Sequence, residues 1–173
     1  MAIKTILTVV DPDLGDSDLK LASTLCEEVG AHLAVLVIAI AAPPPVGAYA
    51  ATVSAPWLEE RQADIEKLER RIAEVSALLA ASPVSSDLSS EYPEMAWADE
   101  VIGRRARYAD ITLLGPEMLS RGTLKGKVAE GVLFSSGKPL LLIPKSATPT
   151  LKPKRIMVGW DWRIEASRAV GQS

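Results

Sequence analysis

Residues 31–42 read Ala-His-Leu-Ala-Val-Leu-Val-Ile-Ala-Ile-Ala-Ala, and this run decides the fold. It is apolar over nearly its whole length, so it predicts a strand that is covered on both faces of a sheet. Apolar residues at helical spacing precede it over 14–29, and Gly30 stands between the two segments, where a helix C-terminal cap belongs. A helix that leads into such a strand is typical of parallel α/β sheets.

Strands and helices alternate in the same way on both sides of this run. Strands are predicted at residues 3–10, 110–115 and 137–144, with a weaker one in the polar stretch 82–93. Helices are predicted from Pro56 to Leu79, over 96–109 and over 124–135. The alternation predicts an α/β fold with a parallel sheet of about five strands and helices on both faces.

Two surface features accompany this framework. Residues 43–54 are rich in proline and glycine, and we expect them to form an irregular excursion that acts as a flap. The helix from Pro56 carries many charged side chains, including Lys67 and Arg71, beside its apolar stripe. We expect those charges to form a solvated face.

Composition limits the class of protein. The 173 residues suffice for one domain, since single domains commonly have about 100–200 residues. With 19 Lys+Arg against 22 Asp+Glu, the net charge of -3 lacks the basic excess of a nonspecific nucleic-acid binder. The single cysteine, Cys26, permits no internal disulfide and is predicted to be an inert core thiol. We expect a cytoplasmic protein without nucleic-acid or membrane partners.

The chain repeats its own beginning. Residues 154–161, Lys-Arg-Ile-Met-Val-Gly-Trp-Asp, match residues 4–11, Lys-Thr-Ile-Leu-Thr-Val-Val-Asp, in hydrophobic pattern and at three identical positions. We therefore predict a complete domain over 1–144, a linker over 145–154, and over 155–173 the remnant of the first strand and helix start of a second domain.

The order of these segments resembles the universal stress protein family, of the bacterial tandem-domain type and truncated early in its second domain. The resemblance is carried by the strand that ends at Asp11, by Gly30-Ala-His-Leu33, by Tyr108-Ala-Asp-Ile-Thr-Leu-Leu-Gly115 and by residues 126–143. It implies the adenine nucleotide alpha hydrolase-like sandwich, with a five-stranded parallel sheet, and dimers that form through the last strand.

Many members of that family bind ATP at the carboxyl ends of the strands. Carried over to this sequence, Asp11 would contact the nucleoside and Ile38 the adenine, while Gly115 would begin the phosphate-binding segment. The resemblance places Gly126, Lys127 and Val128 at the end of that segment.

The phosphate-binding segment departs from the family pattern at three points. Met118 stands where the second glycine belongs, Gly126 comes two residues early, and Lys127 replaces a hydroxyl residue. The sequence therefore predicts a degenerate site for ATP or AMP and leaves open whether a nucleotide is bound.

Other candidate sites have two explanations each. Arg121, Lys125 and Lys127 would attract phosphate or would form an exposed basic loop. Asp11, Asp13 and Asp16 would bind a cation or would serve the turn and cap the helix, and we expect the second role. The only histidine, His32, excludes a multi-histidine metal site, and we expect it to be structural. No catalytic or metal-binding residue is predicted.

The leading functional prediction is a regulatory stress-response protein that is not an enzyme. We expect a homodimer that forms through the apolar last strand, Leu140, Leu141, Leu142 and Ile143. The alternatives are a slow ATPase or nucleotidyl-transfer enzyme on the same fold, or a purely structural dimerisation module.

Overall fold

A five-stranded, all-parallel sheet organises the computed structural model, which describes residues 2–44 and 55–172. The strands lie in the order β3-β2-β1-β4-β5. They are β1 (Thr5–Val10), β2 (His32–Ile38), β3 (Ser86–Glu91), β4 (Ile111–Leu114) and β5 (Leu140–Leu142). The helices are α1 (Ser17–Val29), α2 (Ala55–Ala80), α3 (Ala98–Ala106), α4 (Pro116–Arg121), α5 (Lys125–Glu130) and α6 (Ile164–Gln172).

Alternate strand residues build two cores, one on each face of the sheet. On one face, Ile6, Val35 and Leu113 pack with apolar residues of α1 and α2. On the other face, Leu7 and Leu36 pack with residues of α3, α4 and α5. Both faces are covered, which explains the continuous apolar runs in the central strands. The predicted α/β class, with about five parallel strands, is confirmed.

Some predicted elements have different bounds. The last strand has three residues and not eight, because Pro139 and Pro144 flank it and proline cannot donate to a strand ladder. The helix predicted over 124–135 continues from α5 as a π-helix, Gly131–Ser136. Gly30 has a left-handed backbone, φ 69°, and caps α1 as predicted. The predicted flap falls mostly on residues 45–54, which lie outside the described residues.

The region after β5 crosses back over the fold. Glu28, near the end of α1, accepts hydrogen bonds from the Thr150 hydroxyl and from the Leu151 N–H, the latter at 2.8 Å. Leu151 also packs against the core on that face. The predicted linker is therefore held against α1 by specific contacts.

Residues 154–161 form no strand in this chain and are exposed. An apolar segment of this kind without a sheet of its own is predicted to dock on a sheet edge or to exchange between chains. Within the described chain it pairs with no strand of the sheet, so docking on its own sheet edge is not observed. The assignment of 155–173 to a second domain stays a prediction. No helix in the described ranges is long and apolar enough to cross a bilayer.

Candidate functional site

The strand order reverses between β1 and β4. From β1 the chain continues outward to β2 and β3, whereas β4 and β5 lie on its other side. In open parallel sheets this reversal opens a crevice at the carboxyl ends of the strands, where ligands bind. Asp11 directly follows β1, and Gly115 directly follows β4. Two of the residues implied by the family resemblance thus lie at the predicted position.

A cavity of about 120 Å³ lies at this end of the sheet. The described residues that line it are Asp11, Pro12, Asp13, Ile38, Ala39, Ile40, Asp64, Lys67, Thr123 and Leu124. The loops after β1 and β2 supply one wall, α2 supplies a second, and the segment before α5 supplies a third. Asp11 and Ile38, the two residues predicted for the nucleoside half of a site, meet here. Gly115, Gly126, Lys127 and Val128 are not among these lining residues.

Asp11 is the buried carboxylate of the cavity. Its Oδ1 accepts the Asp13 N–H at 2.9 Å, and its backbone carbonyl accepts the Leu14 N–H at 3.0 Å, which closes the turn after β1. Burial raises the pKa of the Asp11 carboxyl above its ordinary value, and the charge of Asp13 raises it further. The Asp13 N–H and Lys67 lower it in part. The charged form of Asp11 is therefore destabilised in the folded protein, because burial removes part of its solvation.

Helix α2 holds the loop after β1 in place. The Lys67 ammonium contacts the Asp13 carboxylate, and Arg71 donates to Asp16 at 2.8 Å and to the Gly15 carbonyl at 2.8 Å. The prediction that these charges form a solvated face is wrong for Arg71, which is 6% exposed. The sequence contained the signal, because Arg71 stands three residues after Leu68 and four before Val75, on the buried stripe.

The charge around the cavity is mainly negative. Among the described lining residues, Asp11, Asp13 and Asp64 are carboxylates, and Lys67 is the one cation. Asp64 accepts a hydrogen bond from the Tyr92 hydroxyl at 3.1 Å. The charged side chains of the cavity come from the loop after β1 and from α2. The sequence alone does not predict that these two elements lie side by side. A cavity with this balance repels a polyanionic ligand.

A carboxylate of the chain occupies the position above Gly115. Asp18, in the first turn of α1, accepts the N–H of Glu117 at 3.0 Å and the N–H of Met118 at 2.9 Å. A Cβ atom placed on Gly115 would lie 2.3 Å from Asp18 Cγ, so the glycine is required by Asp18 itself. The N–H groups that follow β4 are therefore already paired with an anion. Asp18 is not predictable from the sequence alone, since its partners lie about a hundred residues away.

The other predicted phosphate-binding residues have different neighbours. Gly126 faces open space, with no atom within 4 Å of an added Cβ. Lys127 donates to Asp99 at 3.0 Å and pairs with Glu130 at 3.3 Å, and the Asp99 carboxylate, with that of Glu130, raises the Lys127 pKa. Val128, on α5, is fully buried in the core that α5 shares with α3.

The predicted basic loop of Arg121, Lys125 and Lys127 forms contacts within the chain. The Lys125 ammonium donates to the Leu119 carbonyl at 3.2 Å, and the Arg121 side chain lies outside the described part of the chain. Of the predicted turn and helix-capping roles of the three aspartates, the turn role holds for Asp11, whose Oδ1 accepts the Asp13 N–H. The capping role is wrong for Asp16, which stands at the N-cap of α1 but bonds to Arg71 and makes no side-chain capping hydrogen bond. Within residues 2–44 and 55–172, no group of His, Cys, Asp and Glu side chains is arranged to hold a metal ion.

Comparison with known proteins places this arrangement in a structural class. No protein-family model matches the sequence, and no curated protein matches it. The universal stress protein UspA from Lactobacillus plantarum superposes with a TM-score of 0.60 at 15% identity, over 83% of this chain and 99% of that one. A protein of the universal stress protein family from Burkholderia pseudomallei gives 0.57 at 23% identity, over 83% and 97%. The hypothetical protein MJ0577 gives 0.54 at 15% identity, over 85% and 100%. The chain has the universal stress protein fold.

Proposed function

We propose that this chain is a universal stress protein-like regulatory protein, active as a homodimer in the cytoplasm, with a degenerate adenine-nucleotide site. Its fold supports the family, and the meeting of Asp11 and Ile38 at one cavity supports the nucleoside half of the site. The observation that carries the proposal is the Asp18 carboxylate, which takes the N–H groups of Glu117 and Met118 beside Gly115.

A nucleotide would need these N–H groups for its phosphates. A bound phosphate must displace a carboxylate that is covalently part of the fold. The cavity that would hold the nucleoside adds two further acids, Asp11 and Asp13. The volume of the cavity, about 120 Å³, is also smaller than that of common ligand pockets, which is about 300–1,000 Å³. We therefore expect any adenine ligand to bind weakly and through its nucleoside part.

The alternative of a slow ATPase has less support from the same residues. Phosphoryl transfer is mainly positioning and charge stabilisation of the phosphates by cations and N–H groups. Here Lys127 pairs with Asp99 and Glu130, while the N–H groups after β4 pair with Asp18. We propose that the site turns over no nucleotide.

Titration calorimetry of nucleotide-free protein with ATP, AMP and adenosine tests the proposal. We expect no ATP binding with Kd below about 1 mM, and adenosine binding at least as strong as that of ATP. The Asp11→Ala variant should abolish any adenosine heat, and Lys127→Ala should leave it unchanged. Micromolar ATP binding that is lost in both variants would show an intact nucleotide site. If none of the three ligands gives binding heat, the alternative of a purely structural dimerisation module is favoured over the nucleotide site.

A further inference from the structure

A second cluster of reactive side chains lies at the opposite end of the sheet. His32 is the first residue of β2, Ser85 directly precedes β3, and Asp87 is the second residue of β3. The register pairs Leu33 with Ser86 and Ala34 with Asp87. Because side chains alternate along a strand, His32, Ser85 and Asp87 project from the same face, the one that α3 covers.

The His32 imidazole lies between a hydroxyl and a carboxylate. Its Nδ1 is 2.9 Å from Ser85 Oγ, and its Nε2 is 2.8 Å from Asp87 Oδ1. Arg105, from α3, donates to the other carboxylate oxygen of Asp87 at 3.3 Å. A hydroxyl, a base and an acid that orients the base, all within hydrogen-bond distance, are the parts of an activated serine nucleophile.

Two cavities meet at this cluster. One, of about 250 Å³, lies between the sheet and the end of α3, with His32, Asp87 and Arg105 beside the apolar Leu7 and Ala34. The other is a groove of about 610 Å³ at the amino ends of the strands, beside the end of α1, and His32 and Ser85 line it. Small side chains such as Ala34 and Ala109 leave the first cavity open beneath α3. A substrate would have a small compartment of mixed polarity on one side of His32 and an open groove on the other.

We propose that Ser85 and His32 are catalytic residues, and Asp87 a positioning residue, for the hydrolysis of a carboxylic ester with a short acyl chain. The 250 Å³ cavity, with Leu7, Ala34 and Ala109 among its mostly polar lining residues, has room for a short acyl chain only, and the larger groove has room for the alcohol part. Arg105 holds Asp87 beside His32. This activity would be independent of the proposed regulatory function, since the cluster lies at the amino ends of the strands and the candidate nucleotide site at their carboxyl ends.

The reaction balances with water as the only co-reactant. His32, with its proton on Nε2, accepts the Ser85 proton at Nδ1 while Ser85 Oγ bonds to the ester carbonyl carbon. The bond from that carbon to the alcohol oxygen breaks, and the alcohol leaves with the proton from His32. Water then attacks the acyl-serine, giving its proton to His32, and the carbon–Oγ bond breaks as Ser85 recovers the proton. The products are one alcohol and one carboxylic acid.

Hydrolysis of p-nitrophenyl acetate by the full chain, followed as release of p-nitrophenolate, tests the proposal. Ser85→Ala should lower kcat/KM by about 100-fold or more, because a positioned base and nucleophile supply at least that factor. Ser86→Ala is the matched control, since its side chain projects from the other face of the same strand, and its rate should equal that of the wild type. Equal rates in Ser85→Ala and Ser86→Ala, with both variants folded by circular dichroism, would overturn the proposal.

A fluorophosphonate probe gives a second readout that does not depend on turnover. Mass spectrometry should find the label on Ser85 in the wild type and find none in a His32→Gln variant. Asp87→Asn should lower kcat while leaving KM within about twofold, and Asp87→Glu should restore part of kcat, because Asp87 acts through His32. Labelling of other serines only, or a change in KM alone for Asp87→Asn, would assign the cluster a structural role.

Discussion

Asp11, which we propose meets the nucleoside of a ligand, is buried at a cost in stability. Its carboxylate is buried, and burial raises its pKa, so the folded protein takes up a proton at Asp11 more readily than the unfolded chain does. By linkage, the free energy of unfolding falls as pH rises between the ordinary aspartate value of 3.8 and the raised folded value. Above that pH range, the fold bears the full cost of the buried Asp11 charge.

We predict that Asp11→Asn stabilises the fold at pH 7 by about 1 kcal/mol, the usual scale of single substitutions. The asparagine oxygen can still accept the Asp13 N–H, while the buried charge is removed. Urea unfolding from pH 3 to 8 should show the gain above the raised folded pKa of Asp11 and none below pH 3.8. Asp16→Asn is the contrasting variant, since it weakens the pair with the buried Arg71 and should destabilise. A loss of stability in Asp11→Asn at pH 7 would contradict the prediction.

Asp18 has the opposite effect on stability. Its carboxylate accepts two N–H groups at the start of α4, and the Met118 N–H is buried. Removal of the acceptor leaves these donors unpaired, which costs about 1–3 kcal/mol. We therefore predict that Asp18→Ala lowers the free energy of unfolding by that amount, with a smaller loss for Asp18→Asn.

The control for Asp18 is Asp13→Ala in the same segment. Asp13 is exposed and pairs with Lys67 at the surface, so its loss should change stability by less than about 1 kcal/mol. Equal effects of Asp13→Ala and Asp18→Ala in urea unfolding would show that the Asp18 contacts contribute little.

At the scale of elements, two glycines of similar appearance in the sequence have different environments. A Cβ on Gly103, in α3, would lie 2.5 Å from Ser135 Cβ and 2.8 Å from the Gly131 carbonyl oxygen. Gly103 therefore allows α3 to pack closely against the π-helical turn. Gly126, in α5, faces open space.

We predict that Gly103→Ala destabilises the fold by about 1–3 kcal/mol through overpacking. Gly126→Ala should stabilise it by up to about 1 kcal/mol, because alanine is the better helix former. Thermal unfolding of the two variants measures the difference. A destabilised Gly126→Ala would indicate that Gly126 has a packing role that the structure does not show.

Elements were predictable from the sequence where local pattern and burial agree. The central strands are apolar on both faces, so β1, β2 and β4 were clear, whereas β3 is a polar edge strand, Ser-Asp-Leu-Ser-Ser-Glu, with a weak signal. The position of Asp11 in the site was implied by the family resemblance, which places an acid directly after the first strand. Asp18 and Lys67 were not, since their roles depend on how α1 and α2 pack against distant loops.

On the scale of the whole molecule, apolar surface outside the two cores is concentrated after β4. Phe134, in the π-helical turn before β5, is 84% exposed, and Leu142, on β5 itself, is 53% exposed. The segment after the linker adds Met157 and Trp162, both largely exposed. Exposed apolar residues in this number are typical of an interface.

The edge strand β5 is where we predict the homodimer forms. Its outer backbone edge has no neighbour in the described chain, and a second β5 related by a twofold axis would pair with it. A lysine on an edge strand opposes such pairing, so Leu142→Lys should convert the dimer to a monomer. Leu58→Lys is the matched control, because Leu58 on α2 is equally exposed, at 51%, and should leave the dimer intact. Sedimentation velocity at about 50 µM protein measures both, since the dimer fraction depends on concentration. A monomeric wild type, or a dimer that survives Leu142→Lys, would place the interface elsewhere or exclude it.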